Sequence, residues 1–324
     1  VKIQSTIQAL IESVRLRQSL KNGLVLVPLF FTINIWYSPE DYWGMTIICG
    51  KAILATIAFF FLSSSVYLFN DSIDKENDKN HPTKRYRPIA QGKISVPLAY
   101  ISAIILCAVG IYIGFKINGS VGLIGILYIV LNISYSLVFK NLVLFDVMVI
   151  ATGFVLRAVA GSNAINNASI HFNNQLQNLN LTISPWLYVV TALGALFLAL
   201  AKRRGELVTF QQINQEKSRK TLNHYTVPLL DMMISIIATA TMTAYTLYTF
   251  SYYSPKTNIP SDNSMMLTVP FVFYGIFRYL YLIHTKKSGE NPEDILISDV
   301  PLIITVVSWL LTASAVLIWG RLNI

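Results

Sequence analysis

The sequence predicts an all-α integral membrane protein: one bundle of nine membrane-spanning helices with its N-terminus in the cytoplasm. Three observations predict this. Of 324 residues, 54% are hydrophobic and only 13% are charged, whereas soluble domains carry about 25% charged residues. The apolar residues gather into segments close to the roughly 20 residues that cross a bilayer core. The basic residues fall almost entirely on alternate connections, the bias that marks the cytoplasmic side.

Taken in order, residues 1–22, with Glu12, Arg15, Arg17 and Lys21, read as an amphipathic cytoplasmic segment on the membrane surface. Residues 23–324 form a single transmembrane domain. Its spans are expected at 23–43, 47–69, 95–115, 120–138, 142–162, 183–201, 227–250, 266–284 and 301–320. The first is interrupted by Asn34, Pro39, Glu40 and Asp41. With the N-terminus inside, the stretches 1–22, 70–94, 139–141, 202–226 and 278–300 hold 20 of the 25 Lys and Arg. The net charge of +9 is then orientation and loop chemistry, so it does not argue for nucleic-acid binding. Gly110 and Gly114, spaced as GxxxG, suit close helix packing in the third span. The Asn-rich stretch 161–182 reads as a solvated outer connector. Cys49 and Cys107 lie in apolar segments and are expected to be reduced and buried. The four histidines lack ligand spacing, so no transition metal is expected.

Polar chemistry concentrates on two connections, 70–94 and 202–226. In the first, Asn70, Asp71, Asp74 and Asp78 close the second span. On a continuous helix the three aspartates share one face, about a turn apart. Stacked carboxylates repel unless a hard cation sits among them, and Mg²⁺ takes oxygen ligands that it shares with substrate phosphates. "HPTKRYRPIA" follows. Its prolines hold a rigid loop, from which Lys84, Arg85 and Arg87 can point back toward phosphate oxygens. Lipid-headgroup anchoring is the competing reading of these cations. The second connection has no Asp; it offers Lys202, Arg203, Arg204, Glu206, Arg219 and Lys220. Tyr135 and Lys140 close the fourth span, where Lys140 suits a phosphate or snorkelling equally. Arg157 lies mid-span, where an unpaired cation is costly, and should face the bundle interior. Asp146, eleven residues earlier and roughly 16 Å along a helix, is too far to pair with it directly. A partner on another helix or a phosphate deep in a cavity remains.

"NDSIDKEND" at 70–78 matches NDxxDxxxD, and the chain on this motif resembles the UbiA superfamily of intramembrane prenyltransferases. Within that superfamily it looks most like the decaprenyl-phosphate phosphoribosyltransferases. "SVRLRQSLKN" near the N-terminus, "HPTKRYRPIA", "SYSLVFKNLVLFDVMVIATGFVLRAVAG", "SPWLYVVTALGALFLALAKRRGEL" and "GENPEDI" carry this likeness over most of the chain. Leu16 and Ser19 depart from the group's Pro and Trp. The resemblance implies a nine-helix bundle that works as a homo-oligomer, a trimer by family analogy, in the plasma membrane. It implies Mg²⁺ on Asp71, Asp74 and Asp78. Lys21, Asn22, Asn70, Lys84, Arg85 and Arg87 are expected at the donor's phosphates. Tyr135, Lys140, Arg157, Lys202, Arg203, Glu206, Arg219 and Lys220 are further candidates for substrate binding. The donor would be 5-phosphoribosyl diphosphate and the acceptor a polyprenyl phosphate, yielding a lipid-linked pentose for arabinan-like cell-wall glycans. The alternative is prenyl transfer to an aromatic acceptor, which needs an Asp-rich second motif absent from 202–226. A transporter is a third class, disfavoured because the polar chemistry lies at one face.

Overall fold

The computed structural model describes residues 2–80, 83–172, 175–179, 181, 184–213, 220–250, 259–260, 262–285 and 292–322. A surface helix α1 (Lys2–Val14) precedes eight long helices: α2 (Tyr42–Ile73), α3 (Val96–Ile117), α4 (Gly119–Leu137), α5 (Phe145–Ile165), α6 (Pro185–Ile213), α7 (Val227–Thr249), α8 (Val269–Thr285) and α9 (Val300–Leu322). Among the described residues, eight helices are long and apolar enough to cross a membrane.

The expected first span is not one helix. Residues 16–36 run as a 3₁₀ segment (Leu16–Leu26) and two short helices (Val27–Phe31, Ile33–Trp36). At the break the Thr32 hydroxyl donates back to the Pro28 carbonyl at 2.8 Å, beside its own N–H at 3.1 Å. The 3₁₀ segment passes close against α5 at Gly161, where a Cβ would collide with the Val25 carbonyl. Three residues per turn, rather than 3.6, stack every third side chain on one ridge.

Side-chain caps mark the starts of α2, α3 and α7. Asp41 accepts from Gly44 N at 2.7 Å to open α2, Ser95 from Leu98 N to open α3, and Thr226 from Leu229 N to open α7. Pro97 and Pro228 sit in the first turns of α3 and α7, where no helix donor is lost. In lipid, helices associate through close packing and not through exclusion from water. The GxxxG pair does this: a Cβ on Gly110 would lie 2.8 Å from Leu62, and one on Gly114 would lie 3.1 Å from Gly122 Cα. One core joins Phe59, Leu62, Tyr128 and Leu156; a second joins Phe197, Leu200, Ile234, Tyr279 and Leu302.

The Asn-rich connector is more ordered than expected. It folds into an antiparallel hairpin, β1 (Ala168–Phe172) and β2 (Gln175–Leu179), in which Ile170 pairs with Gln177. Ser38 donates to the His171 carbonyl at 2.7 Å, and His171 N donates to Asp41 at 2.8 Å. Ile170 and Leu181 bury beside Trp36 and Ile48. Both cysteines are free but only half-buried.

Candidate active site

The carboxylate motif straddles a helix end. α2 stops at Ile73, Asp74 caps it, and a separate short helix follows at Lys75–Lys79. The three aspartates therefore do not stack on one continuous face. Asp71 and Asp78 converge on Arg87, whose Nη1 donates to them at 2.9 and 2.7 Å. Asp74 turns instead to Lys140 Nζ at 2.9 Å. Ser136 donates to Asn70, tying α4 to the motif. Burial pushes the Asp78 carboxyl above its ordinary value, with Arg87 acting the other way.

Arg15 completes the cluster. Its Nη2 donates to both Asp71 oxygens, at 2.6 Å for Oδ2, and its guanidinium lies over the Tyr67 ring at 5.0 Å. The backbone at Arg15 is left-handed (φ 55°, ψ 60°), which costs a non-glycine residue about 1–2 kcal/mol. From there the 3₁₀ ridge places Arg15, Gln18, Lys21 and Leu24, each three residues on, along the wall of one cavity.

That cavity has a volume of about 1230 Å³. Its polar end gathers Asn70, Asp71, Asp74, Asp78, Lys84 and Arg87 with Lys21, Tyr135, Lys140, Lys202 and Glu206. Its apolar remainder runs between helices past Phe154, Phe197, Ile276, Val306 and Trp309. Lys202 and Glu206 reach it from α6, which continues to Ile213, so these residues stand on a helix where a loop was expected.

Several expected substrate ligands are placed otherwise. Arg85 folds onto exposed Tyr86, with Nη2 to Oη at 2.8 Å, and is not among the lining residues. Arg203 is 1% exposed and is consumed by acids: Nε donates to Asp146 at 2.7 Å and Nη1 to Glu206 at 2.7 Å. Its Nη2 reaches Tyr135 Oη at 3.1 Å, so it braces the wall and does not line it. Asn22 is buried outside the lining, between Ser63 and Arg157. Arg157 does line the cavity and faces the interior as expected. Arg219 lies outside the described residues, as does the side chain of Lys220.

Arg15, Gln18, Asn132 and Ser136 line the site without having been singled out. The first two stand in "SVRLRQSLKN", the stretch that carries the N-terminal resemblance, at a three-residue spacing to Lys21 that a 3₁₀ helix puts on one ridge.

The donor chemistry suits a hard cation. Oxygen ligands face the cavity, and Asp71 and Asp78 already share one positive atom, Arg87 Nη1. Among the described residues no group of three His, Cys, Asp or Glu side chains closes on a single point.

Residues 25–295 match the model of the UbiA prenyltransferase family. The chain belongs to that family. Its relatives include the decaprenyl-phosphate phosphoribosyltransferase of Mycolicibacterium smegmatis, 30% identical over 96% of this chain and 93% of that protein. The protein of the same name from Corynebacterium glutamicum is 32% identical over 93% and 84%. Among solved structures, a UbiA homologue from Archaeoglobus fulgidus bound to GPP and Mg²⁺ superposes with a TM-score of 0.67 at 16% identity, covering 95% and 99%. The likeness in fold, with the apolar helices above, makes this UbiA-family chain an integral membrane protein.

Proposed function

We propose that this UbiA-family protein transfers 5-phosphoribosyl from 5-phosphoribosyl diphosphate to a polyprenyl phosphate of the decaprenyl type. The products are polyprenylphosphoryl-5-phosphoribose and diphosphate, the former a lipid-linked pentose donor for arabinan-like cell-wall glycans. One observation carries the reading: a single cavity joins a cluster of acids and cations to an apolar interior between helices. The first part suits a metal-borne diphosphate, the second a lipid tail. The identity to named phosphoribosyltransferases over nearly the whole chain supports the same substrates.

In this reading nine spans set the N-terminus and the polar end on the cytoplasmic side of the plasma membrane, and the protein works as a homo-oligomer, a trimer by family analogy. Asp71 and Asp78, with Asp74, would hold Mg²⁺, which when bound neutralises charge on the leaving diphosphate. Arg15, Lys84 and Arg87 would grip the donor phosphates, with Asn70 and Lys21 beside them; Lys140 and Lys202 face the same space. A lipid phosphate oxygen attacks the anomeric carbon as its bond to diphosphate breaks, and the bonding pair leaves with the diphosphate. The attacking oxygen is already ionised, so no general base is needed. Rate then comes from positioning and fixed charge.

The test uses purified protein with Mg²⁺. One arm receives labelled 5-phosphoribosyl diphosphate and decaprenyl phosphate; the other receives a prenyl diphosphate and 4-hydroxybenzoate. Label entering the lipid phase in the first arm, abolished by EDTA, is expected. Product in the second arm alone would replace this reading with aromatic prenylation.

A further inference from the structure

The cavity holds a cationic seat apart from the acidic motif. Arg157 is 5% exposed and lies in the interior of α5, roughly 18 Å along the axis from Phe145. Neutral atoms hold it. Nε donates to Asn22 Oδ1 at 3.0 Å, Nη1 to the Gly153 carbonyl at 3.0 Å, and Nη2 to Tyr128 Oη at 2.7 Å. The rings of Tyr128 and Phe154 flank the guanidinium, with centroids 4.9 and 5.2 Å from Cζ. Asn22 is itself fixed by Ser63 Oγ at 3.0 Å.

Among the described residues no carboxylate pairs with Arg157, while Arg15, Arg87, Lys140, Arg203, Arg204 and Arg278 each have at least one. A guanidinium carries five N–H donors, and the bonds above use three. A buried cation without a counter-charge is destabilising inside a membrane and marks a functional position. Its geometry is set by Asn22, Tyr128 and a backbone carbonyl, and its remaining donors belong to a residue on the cavity wall.

We infer that Arg157 is the seat of a phosphate monoester, distinct from the place where Asp71, Asp78 and Arg87 meet. The Arg fork matches phosphate oxygens, and the ligand's negative charge supplies what the protein withholds. The depth separates the two places: Ser63, which anchors Asn22, precedes Asp71 by about 12 Å of α2. This rests on the phosphoribosyl-transfer reading, in which two groups have the right chemistry, the ribose 5-phosphate of the donor and the phosphate of the lipid acceptor.

The experiment compares wild type, Arg157→Gln and Arg157→Lys as purified full chains. Thermal stabilisation is titrated with ribose 5-phosphate in one arm and farnesyl phosphate in the other, and KM is measured for each substrate. For Arg157→Gln, half-saturation by one probe rises at least tenfold with the matching KM, and the other probe is unaffected; the responding arm names the source. Arg157→Lys lies between the two proteins, keeping the charge and losing the fork. Unchanged half-saturation in both arms overturns the inference, whether or not kcat falls. Should Arg157→Gln not fold, wild-type affinity in both arms for Arg157→Lys overturns it equally. If wild type transfers no phosphoribosyl group while the Arg157-dependent shift persists, the proposed function falls and the phosphate seat stands.

Discussion

Replacing Asp146 by Ala tests whether Arg203 is a brace or a phosphate ligand. Asp146 is 0% exposed and Arg203 1%, so the substitution leaves a cation that water does not reach with Glu206 as its remaining carboxylate. Two charge-assisted hydrogen bonds disappear, from Arg203 Nε at 2.7 Å and from Tyr225 Oη at 2.9 Å. Each is worth about 1.5–3 kcal/mol, which agrees with the ~3–5 kcal/mol for breaking a buried pair by removing one partner. Arg203 keeps Glu206 at 2.7 Å, which places the expected loss near the lower end, about 3 kcal/mol. Reversible unfolding in detergent micelles, followed by tryptophan fluorescence, measures it. A double-mutant cycle with Arg203→Ala should return a coupling of about 2 kcal/mol or more. A loss below about 1 kcal/mol, with donor KM raised by Arg203→Ala alone, would refute the brace and return Arg203 to the list of phosphate ligands.

Three further outcomes are expected. Arg87→Ala should raise donor KM at least tenfold, a loss of about 1.4 kcal/mol or more, while Arg85→Ala stays within twofold in the same assay because its guanidinium rests on Tyr86. Gly161→Ala should destabilise the bundle by about 1–3 kcal/mol in the unfolding assay, since its methyl must displace the Val25 carbonyl. Asp41 is held below its ordinary value by donors from His171 and Gly44. A depressed carboxylate stabilises the fold above its unfolded value of 3.8 and stops doing so as pH falls through its folded value. Acidification below about pH 4 should therefore lower the wild-type melting temperature more than that of Asp41→Ala.

Long apolar runs made the spans of α2 through α9 legible, because a bilayer allows few other uses for them. The acidic motif and the cations of the following loop were legible as one site for the same reason: polar groups at a span's end need a purpose or a surface. What the sequence hid is pairing across distance. Arg203 and Arg204 are adjacent basic residues with nothing local to separate them from ligands, yet Arg203 meets Asp146, 57 positions away. Asp71, Asp74 and Asp78 have helical spacing, but the chain breaks at Asp74 and redirects its side chain to Lys140. The run from Leu16 to Leu26 carries no apolar period that announces a 3₁₀ helix, so Arg15 reads in the sequence as part of an amphipathic surface segment.

Among the described residues, seven basic side chains and four acidic ones line the cavity. All four acids are already matched, Asp71 and Asp78 by arginines, Asp74 by Lys140 and Glu206 by Arg203. The surplus is positive and sits within low-dielectric walls, which focus its field through the opening instead of dissipating it. A soluble anionic donor is then drawn in from a distance, and its capture rate should drop as ionic strength rises toward a Debye length of about 8 Å. A lipid acceptor arriving within the bilayer plane crosses little of that field. Salt therefore separates the two encounters: it slows the sugar's arrival and leaves the lipid's nearly untouched.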